Sequence, residues 1–369
     1  FCTEALQYPY IAVDTEFLRE KTYYAQLCLI QLALPGDGDT NAILVDVQSR
    51  NLNLEPLYEL FKNKKIVKVF HAARQDLEIF FVDAKIFPEP FFDTQIAAMV
   101  CGFGEQVAYE TIVRKLALKN IDKSSRFSNW SQRPLTENQM SYALGDVTHL
   151  RKVYEELLKL LKQSGRQNWV DEEFDNLLKA ETYLVYPADS WKRIKIRNNN
   201  PKFISAVQSL AKFREEQAQE RNIPRNRILK DEVILELASI KPKTLKDLGK
   251  SRLLHNDAKR GWMADGIILA IKEMKELTFS DIDYLPGTAV KRLSNNPMVD
   301  LLKVLLKAKA EEWGVAAKLI ATSNDIEILA TNENPDLPAL KGWRNNLFGK
   351  EALKLKNGKI ALSFVTLSC

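Results

Sequence analysis

The stretch Ile11-Ala12-Val13-Asp14-Thr15-Glu16-Phe17 decides the fold. Its unbroken run of small and β-branched apolar residues reads as a buried strand of an α/β sheet, and it leads directly into two carboxylates spaced i, i+2. Alternate side chains of a strand point the same way, so Asp14 and Glu16 leave the sheet together. Two like charges side by side at the end of a buried strand repel each other and lose hydration. Either the strand ends in a solvated acidic turn, or a cation sits between the two acids. Hard oxygen donors of this kind suit magnesium or manganese better than zinc.

The rest of the chain bounds the possibilities. At 369 residues it has room for two or three domains of ~150 residues. Its composition, 46% hydrophobic and 27% charged, is that of an ordinary globular protein. No apolar run approaches the ~20 residues of a membrane helix, and no signal-peptide pattern opens the chain. The chain starts at Phe1, and a short segment preceding it is expected. Cys2, Cys28, Cys101 and Cys369 lie far apart with no CxxC spacing, and three His complete a poor inventory for zinc. Cys28 and Cys101 read as core residues, and this usage fits a reducing, cytoplasmic setting. The net charge of +5 is unevenly spread: the balance is −4 up to Ile194 and +9 from Lys195 onward. An acidic front suits cations. A basic back suits polyanions, or is only solvated surface.

Strand and helix signals alternate through the first half. Leu27 to Leu34 reads as a strand, Pro35 to Asp39 as a turn, and Ala42 to Val47 as a hairpin partner. Leu54 to Phe61 has helical spacing, Ile66 to Phe70 is a short strand, and Arg74 to Phe81 is a helix. Phe92-Asp93-Thr94 ends an extended segment before an apolar helix, Thr94 to Val100. Asp93 reads as a cap or turn acceptor there. Thr136 is the expected N-cap of a helix that continues toward Leu161. Together these make a mixed sheet with helices on its faces. From Tyr183 to Arg197 the pattern breaks, and this segment reads as a linker. Two helical units of similar length and helix order follow, separated by a second break at Leu285-Pro286-Gly287, and they read as a tandem duplication.

Two further acids join the opening pair in the count. Asp76 falls near the start of the helix that follows the Ile66–Phe70 strand, a position the helix dipole favours for any acid. Tyr142 and Asp146 are spaced i, i+4, so phenol and carboxylate share one face of a helix that is otherwise apolar on its buried side. Asp14, Glu16, Asp76 and Asp146 thus offer four carboxylates from three elements. That is the inventory for two divalent cations ~4 Å apart, which clamp a phosphodiester and generate hydroxide near neutral pH.

The order and context of these residues resemble the tyrosine-bearing branch of the DEDD 3′→5′ exonucleases. Val13-Asp14-Thr15-Glu16-Phe17 matches the first exonuclease motif, His71 to Phe80 the second, and Tyr142-Ala143-Leu144-Gly145-Asp146 the third. Arg19 to Gln31, Phe92 to Gln95 and Trp130 to Leu135 narrow the resemblance to the ribonuclease D family. One departure stands out: the family usually has Ser-Asp-Trp where this chain has Ser128-Asn129-Trp130. Phe213 to Pro224 resembles a first HRDC domain, a module that contacts RNA or DNA. Trp313 to Ala316 with Lys341 to Arg344 resembles a second.

The resemblance implies an α/β exonuclease domain with an RNase H-like mixed sheet over residues 1–190. It implies two small all-α helical bundles, at 191–285 and 286–369. It implies a hydrolase that releases 5′-mononucleotides from RNA 3′ ends with two Mg²⁺ or Mn²⁺ ions, acting as a monomer on tRNA precursors with 3′ extensions. In that scheme Asp14 bridges both metals, and Glu16 and Asp146 hold the metal that carries the attacking water. Asp76 serves the leaving-group metal, and Tyr142 orients or helps deprotonate the nucleophile. Phe17 and Leu18 either wedge against the terminal base or belong to the core. His71 and Gln75 either touch substrate or, in the case of His71, form a satisfied core histidine. A DNA exonuclease and an inactive nucleic-acid-binding scaffold are the competing readings, because the four acids act on the phosphodiester and do not distinguish RNA from DNA.

Overall fold

A computed structural model describes residues 1–38, 40–121, 125, 128–283 and 296–363. The opening stretch is strand β1 (Tyr10–Leu18), with Ile11, Ala12 and Val13 wholly buried. It lies inside a five-stranded sheet of order β3-β2-β1-β4-β5, completed by β2 (Gln26–Ala33), β3 (Ala42–Val45), β4 (Val67–Phe70) and β5 (Phe91–Asp93). β2 and β3 pair antiparallel as the hairpin signal requires, whereas β1/β4 and β4/β5 are parallel. The sheet is therefore mixed. Its parallel half brings the carboxyl ends of β1, β4 and β5 to one edge, where open α/β sheets form their ligand sites.

Helices connect and cover these strands. They are α1 (Glu55–Lys62), α2 (Arg74–Ala84), α3 (Thr94–Val100) and the short α4 (Tyr109–Ile112), which runs on into a π-helical turn at Val113–Ala117. α5 (Glu137–Ser164) follows, longer at its end than the sequence pattern suggested. Thr136 caps it in a capping box with Gln139, as a Thr followed three residues later by Gln favours. Gly165 stops it in a left-handed conformation (φ 66°). The apolar face of α5, including Ala143, Val147, Leu150 and Leu157, is buried and packs on β3 and β4. Cys28 is buried in the sheet as expected, but Cys101 is only partly buried, at the end of α3.

The described residues gather into two compact units, each discontinuous in sequence. The first joins residues 1–16 and 27–182 to the described residues from 296 onward. Here α6 (Gln167–Leu177) receives the C-terminal helices. Arg344, 3% exposed, donates to the Leu319 carbonyl (2.7 Å) and to the carboxylates of Glu172 and Glu173, while Trp343 stacks on Trp169 with ring centroids 4.6 Å apart. A guanidinium that is almost fully desolvated requires such partners.

The second unit joins residues 17–26 to 183–283. It is built on α7 (Pro201–Glu220), α8 (Asp231–Ile240) and α9 (Gly261–Lys272). The segment expected to be a linker is structured instead. Pro187 starts a 3₁₀ turn over Pro187–Arg193, and Trp191 and Ile194 enter the same core as Phe203, Val207 and Leu210. Proline and polar residues signalled a break in periodicity, but one buried indole supplies enough apolar area to fix the segment. The break at Leu285-Pro286-Gly287 and Cys369 lie outside the described residues.

One buried charge inside the sheet is unusual. Lys68 on β4 is fully buried, and its ammonium donates to the carbonyls of Asn63 (2.9 Å), Ile66 (2.8 Å) and Glu89 (2.6 Å). Burial pushes its pKa down to about 7, but three acceptors match the three protons of the charged form. Replacing Lys68→Met leaves those carbonyls short of a donor, and urea unfolding is expected to show a loss of about 2–3 kcal/mol.

Candidate active site

Three of the four expected acids meet. Carboxylate oxygens of Asp14 and Glu16 on β1 and of Asp146 on α5 lie within 4.8 Å of one another. Asp14 and Glu16 are partly buried and Asp146 is 8% exposed. The fourth, Asp76 in the first turn of α2, is 6% exposed and accepts a hydrogen bond from the hydroxyl of Thr15, the residue between the two β1 acids. Its charge is felt by both of them.

This crowding has a clear electrostatic signature. Burial first, then the charges of Asp146, Asp76 and Glu16, hold Asp14 well above its ordinary value. Burial, Asp146 and Asp76 push Glu16 up to about 9. Burial raises Asp76 to about 7 although the Thr15 hydroxyl opposes the shift. Without a cation, a cluster of this kind keeps protons at neutral pH. A hard divalent ion relieves both the repulsion and the desolvation, and an all-oxygen donor set of three close carboxylates fits it.

Tyr142 shares the α5 face with Asp146, and its hydroxyl donates to the Asp146 carboxylate. Burial and the charges of Asp146, Glu16 and Asp14 push the phenol far above its usual range, so it bears its proton throughout neutral pH. The Tyr142 ring lies 6.1 Å from that of Trp130, which is 2% exposed. Arg133 explains the Trp130–Leu135 motif: it donates to Asp46 (2.6 and 2.7 Å) and to the carbonyls of Cys28 and Trp130, fastening this loop to the sheet. The Asn129 departure is accommodated as well. Its Oδ1 accepts from the Ser131 amide (3.1 Å) and hydroxyl (2.7 Å), which an amide does as well as a carboxylate.

The second motif is organised by Asp93. Its carboxylate caps α3 by accepting from the amides of Gln95 and Ile96, and it also accepts from Ala72 (3.0 Å) and Ala73 (2.8 Å). That pins the β4–α2 turn, where Ala72 takes a left-handed conformation (φ 59°), and sets the start of the helix that carries Asp76. Asp93 is thus the cap the sequence suggested.

His71 lies in the same turn with both ring nitrogens engaged by the chain, Nδ1 with the Thr94 hydroxyl (2.9 Å) and Nε2 with the Val107 carbonyl (3.2 Å). Burial lowers its pKa, so the neutral ring donates from Nε2. This is the bonding of a satisfied interior histidine. Gln75 is exposed and, with Arg74, Gln106 and Lys318, lines a groove of about 620 Å³ in the first unit. Phe17 and Leu18 close β1 and are partly buried.

Sequence reasoning passed over Thr15 and Tyr109. Thr15 was hidden by its position between two more conspicuous acids. Tyr109 follows Gly102 and Gly104 in a stretch without helical or strand period. In the fold its hydroxyl donates to the Asp146 carbonyl (2.6 Å) and approaches that of Gly145 (3.4 Å).

Comparison with known proteins agrees with this arrangement. A family model described as a 3′-5′ exonuclease matches residues 1–162, and an HRDC domain model matches residues 205–260. The chain is 53% identical over 363 residues to a ribonuclease D of Jannaschia sp., covering 98% of this chain and 94% of that protein. It is 44% identical to a ribonuclease D of Granulibacter bethesdensis, covering 98% and 91%. The crystal structure of Escherichia coli RNase D, described as an exoribonuclease involved in structured RNA processing, superposes with a TM-score of 0.79 at 26% identity over 97% of this chain and 95% of that one. An exonuclease sheet carrying an acidic cluster, an HRDC match and full-length identity of this degree place the chain in the ribonuclease D family of 3′→5′ exoribonucleases.

Proposed function

We propose that this protein trims the 3′ ends of structured RNA, tRNA precursors above all, by hydrolysis assisted by two Mg²⁺ or Mn²⁺ ions held by Asp14, Glu16, Asp76 and Asp146. The observation that carries the reading is the meeting of Asp14, Glu16 and Asp146 within 4.8 Å, with Asp76 tied to the same strand through Thr15. When bound, the ions activate water and stabilise the developing charge on the phosphate. The chain's own part is geometric. Asp14 would serve both ions, Glu16 and Asp146 would hold the ion that supplies the nucleophile, and Asp76 would serve the one that stabilises the leaving group. The Tyr142 phenol, protonated at neutral pH, orients the attacking water from the α5 face. Phe17, Leu18 and Gln75 contact the 3′ nucleotides.

Residues 1–190 act as the exonuclease domain, and 191–285 and 286–369 as two HRDC-type domains. The +9 balance from Lys195 onward supports RNA binding by the helical region. No helix among the described residues is long and apolar enough to cross a membrane. The family resemblance favours a monomer, and the sparse cysteines fit a reducing cytoplasm.

Matched RNA and DNA oligomers with 3′ tails, digested with and without magnesium, test this reading through product lengths. Stepwise shortening of RNA that stops with chelator is expected, whereas equal rates on DNA would favour the proofreading-type alternative. Asp146→Asn should abolish turnover with RNA affinity nearly intact. Tyr142→Phe should lower turnover by roughly 100-fold, within the range of acid–base contributions.

The raised pKa values set a pH dependence. Without metal, the native cluster retains protons that an unfolded chain has released above about pH 4, so stability falls as pH rises through about 7 for Asp76 and about 9 for Glu16. Metal binding displaces those protons, so affinity increases over the same window. Mn²⁺ is therefore expected to raise the melting temperature more at pH 8 than at pH 6. An equal increase at both values would contradict the protonated cluster.

A further inference from the structure

Asp146 is the one member of the close cluster that comes from a helix, so its carboxylate depends on how α5 is rolled about its axis. A roll of ~10° moves an atom ~6 Å from a helix axis by ~1 Å. A displacement of that size is enough to cost a catalytic site on the order of 100-fold. Something must fix the roll at this point of a 28-residue helix.

We propose that Tyr109, braced by His71, is a positioning residue that locks the Gly145–Asp146 turn of α5 so that Asp146 completes the metal cluster. The proposal rests on the metal-site reading above. The carbonyls of an α-helix already accept one backbone bond and retain a second lone pair. The Tyr109 hydroxyl uses it, donating to the Asp146 carbonyl at 2.6 Å and lying 3.4 Å from that of Gly145. These contacts grip the backbone of the ligand residue itself and do not engage its carboxylate, which faces the cluster.

The other end of Tyr109 is equally fixed. Its ring lies 5.2 Å from that of His71, and His71 Nε2 donates to the carbonyl of Val107, two residues before Tyr109. Gln95 donates to the same carbonyl (3.2 Å). His71 belongs to the turn that Asp93 clamps through the amides of Ala72 and Ala73, and that turn starts the helix bearing Asp76. A continuous strut therefore runs from the Asp76 helix through His71 and Tyr109 to Asp146. The segment continues from α4 into a π-helical turn that packs on α5. Such irregular turns recur at functional sites.

The test compares wild-type protein with Tyr109→Phe, Tyr109→Leu and Asp146→Asn. Mn²⁺ binding is measured by the electron paramagnetic resonance of the free ion, alongside kcat and KM on a 3′-extended RNA. Tyr109→Phe removes only the hydroxyl. It is expected to weaken Mn²⁺ binding several-fold and to lower kcat about tenfold, with KM changed less than twofold, a metal-free melting temperature close to wild type, and partial recovery of kcat at high Mn²⁺. Wild-type Mn²⁺ affinity and kcat in Tyr109→Phe would overturn the proposal. So would losses confined to Tyr109→Leu, which would assign the residue to packing. Asp146→Asn separates the two readings: wild-type Mn²⁺ affinity in that variant removes the metal site itself, whereas lost affinity there with none lost in Tyr109→Phe removes only the strut.

Discussion

Carboxylates cannot crowd at the end of a buried strand unless something compensates their mutual repulsion, and this protein is built around that constraint. Asp14 and Glu16 stand at the end of a strand whose preceding residues are wholly buried, so neither retreats into solvent without unzipping the sheet. Asp146 comes within 4.8 Å from a helix, and Asp76 hydrogen bonds to the residue between the first two. The influences on Glu16, burial and the charges of Asp146 and Asp76, all favour its neutral form. The arrangement is costly by itself and becomes favourable with a divalent cation. That is how a binding site stores selectivity for hard cations.

Positioning is carried by neutral donors and by pairs placed away from the cluster. Asp93 fixes the turn before Asp76 through the amides of Ala72 and Ala73 while it caps α3, and Tyr109 holds the backbone of Asp146. Arg133 directs its donors to Asp46 and three carbonyls, so it anchors the Trp130 loop without neutralising the acids. Lys68 does likewise inside the sheet, with three carbonyls around it. Supporting groups that held the acids by opposite charge would compete with the metal. Hydrogen bonding to the backbone sets geometry and leaves the acids' affinity for cations intact.

The C-terminal helices show a different use of buried charge. Arg344 is nearly inaccessible and satisfied by two glutamates and a carbonyl, with the Trp169–Trp343 stack beside it. These contacts make the described residues from 296 onward part of the same compact unit as the sheet. The first helical region is built around its own core, which draws in Trp191 and Ile194.

Much of this was legible in the sequence because it depends on local rules. A buried run ending in two acids announces a strand, and period 3.6 places Tyr142 and Asp146 on one face. Thr136 and Gln139 spell a capping box. The signals of Asp14, Glu16, Asp76, Tyr142 and Asp146 each survive as a short pattern. Thr15, Tyr109, Arg133 and Arg344 act through partners 25 to 172 positions away, and no local pattern records such a pairing. Trp191 was misread for the same reason, since a proline-marked break looks alike whether or not an indole finds a core. His71 reads in the sequence as either a substrate contact or a satisfied core histidine, and Thr94 and Val107, which engage both its nitrogens, decide for the second. Sequence alone determined the elements and the acids they carry. Only the tertiary structure decided which neutral groups hold those acids in register, because those partners are set by the packing of elements distant in the chain.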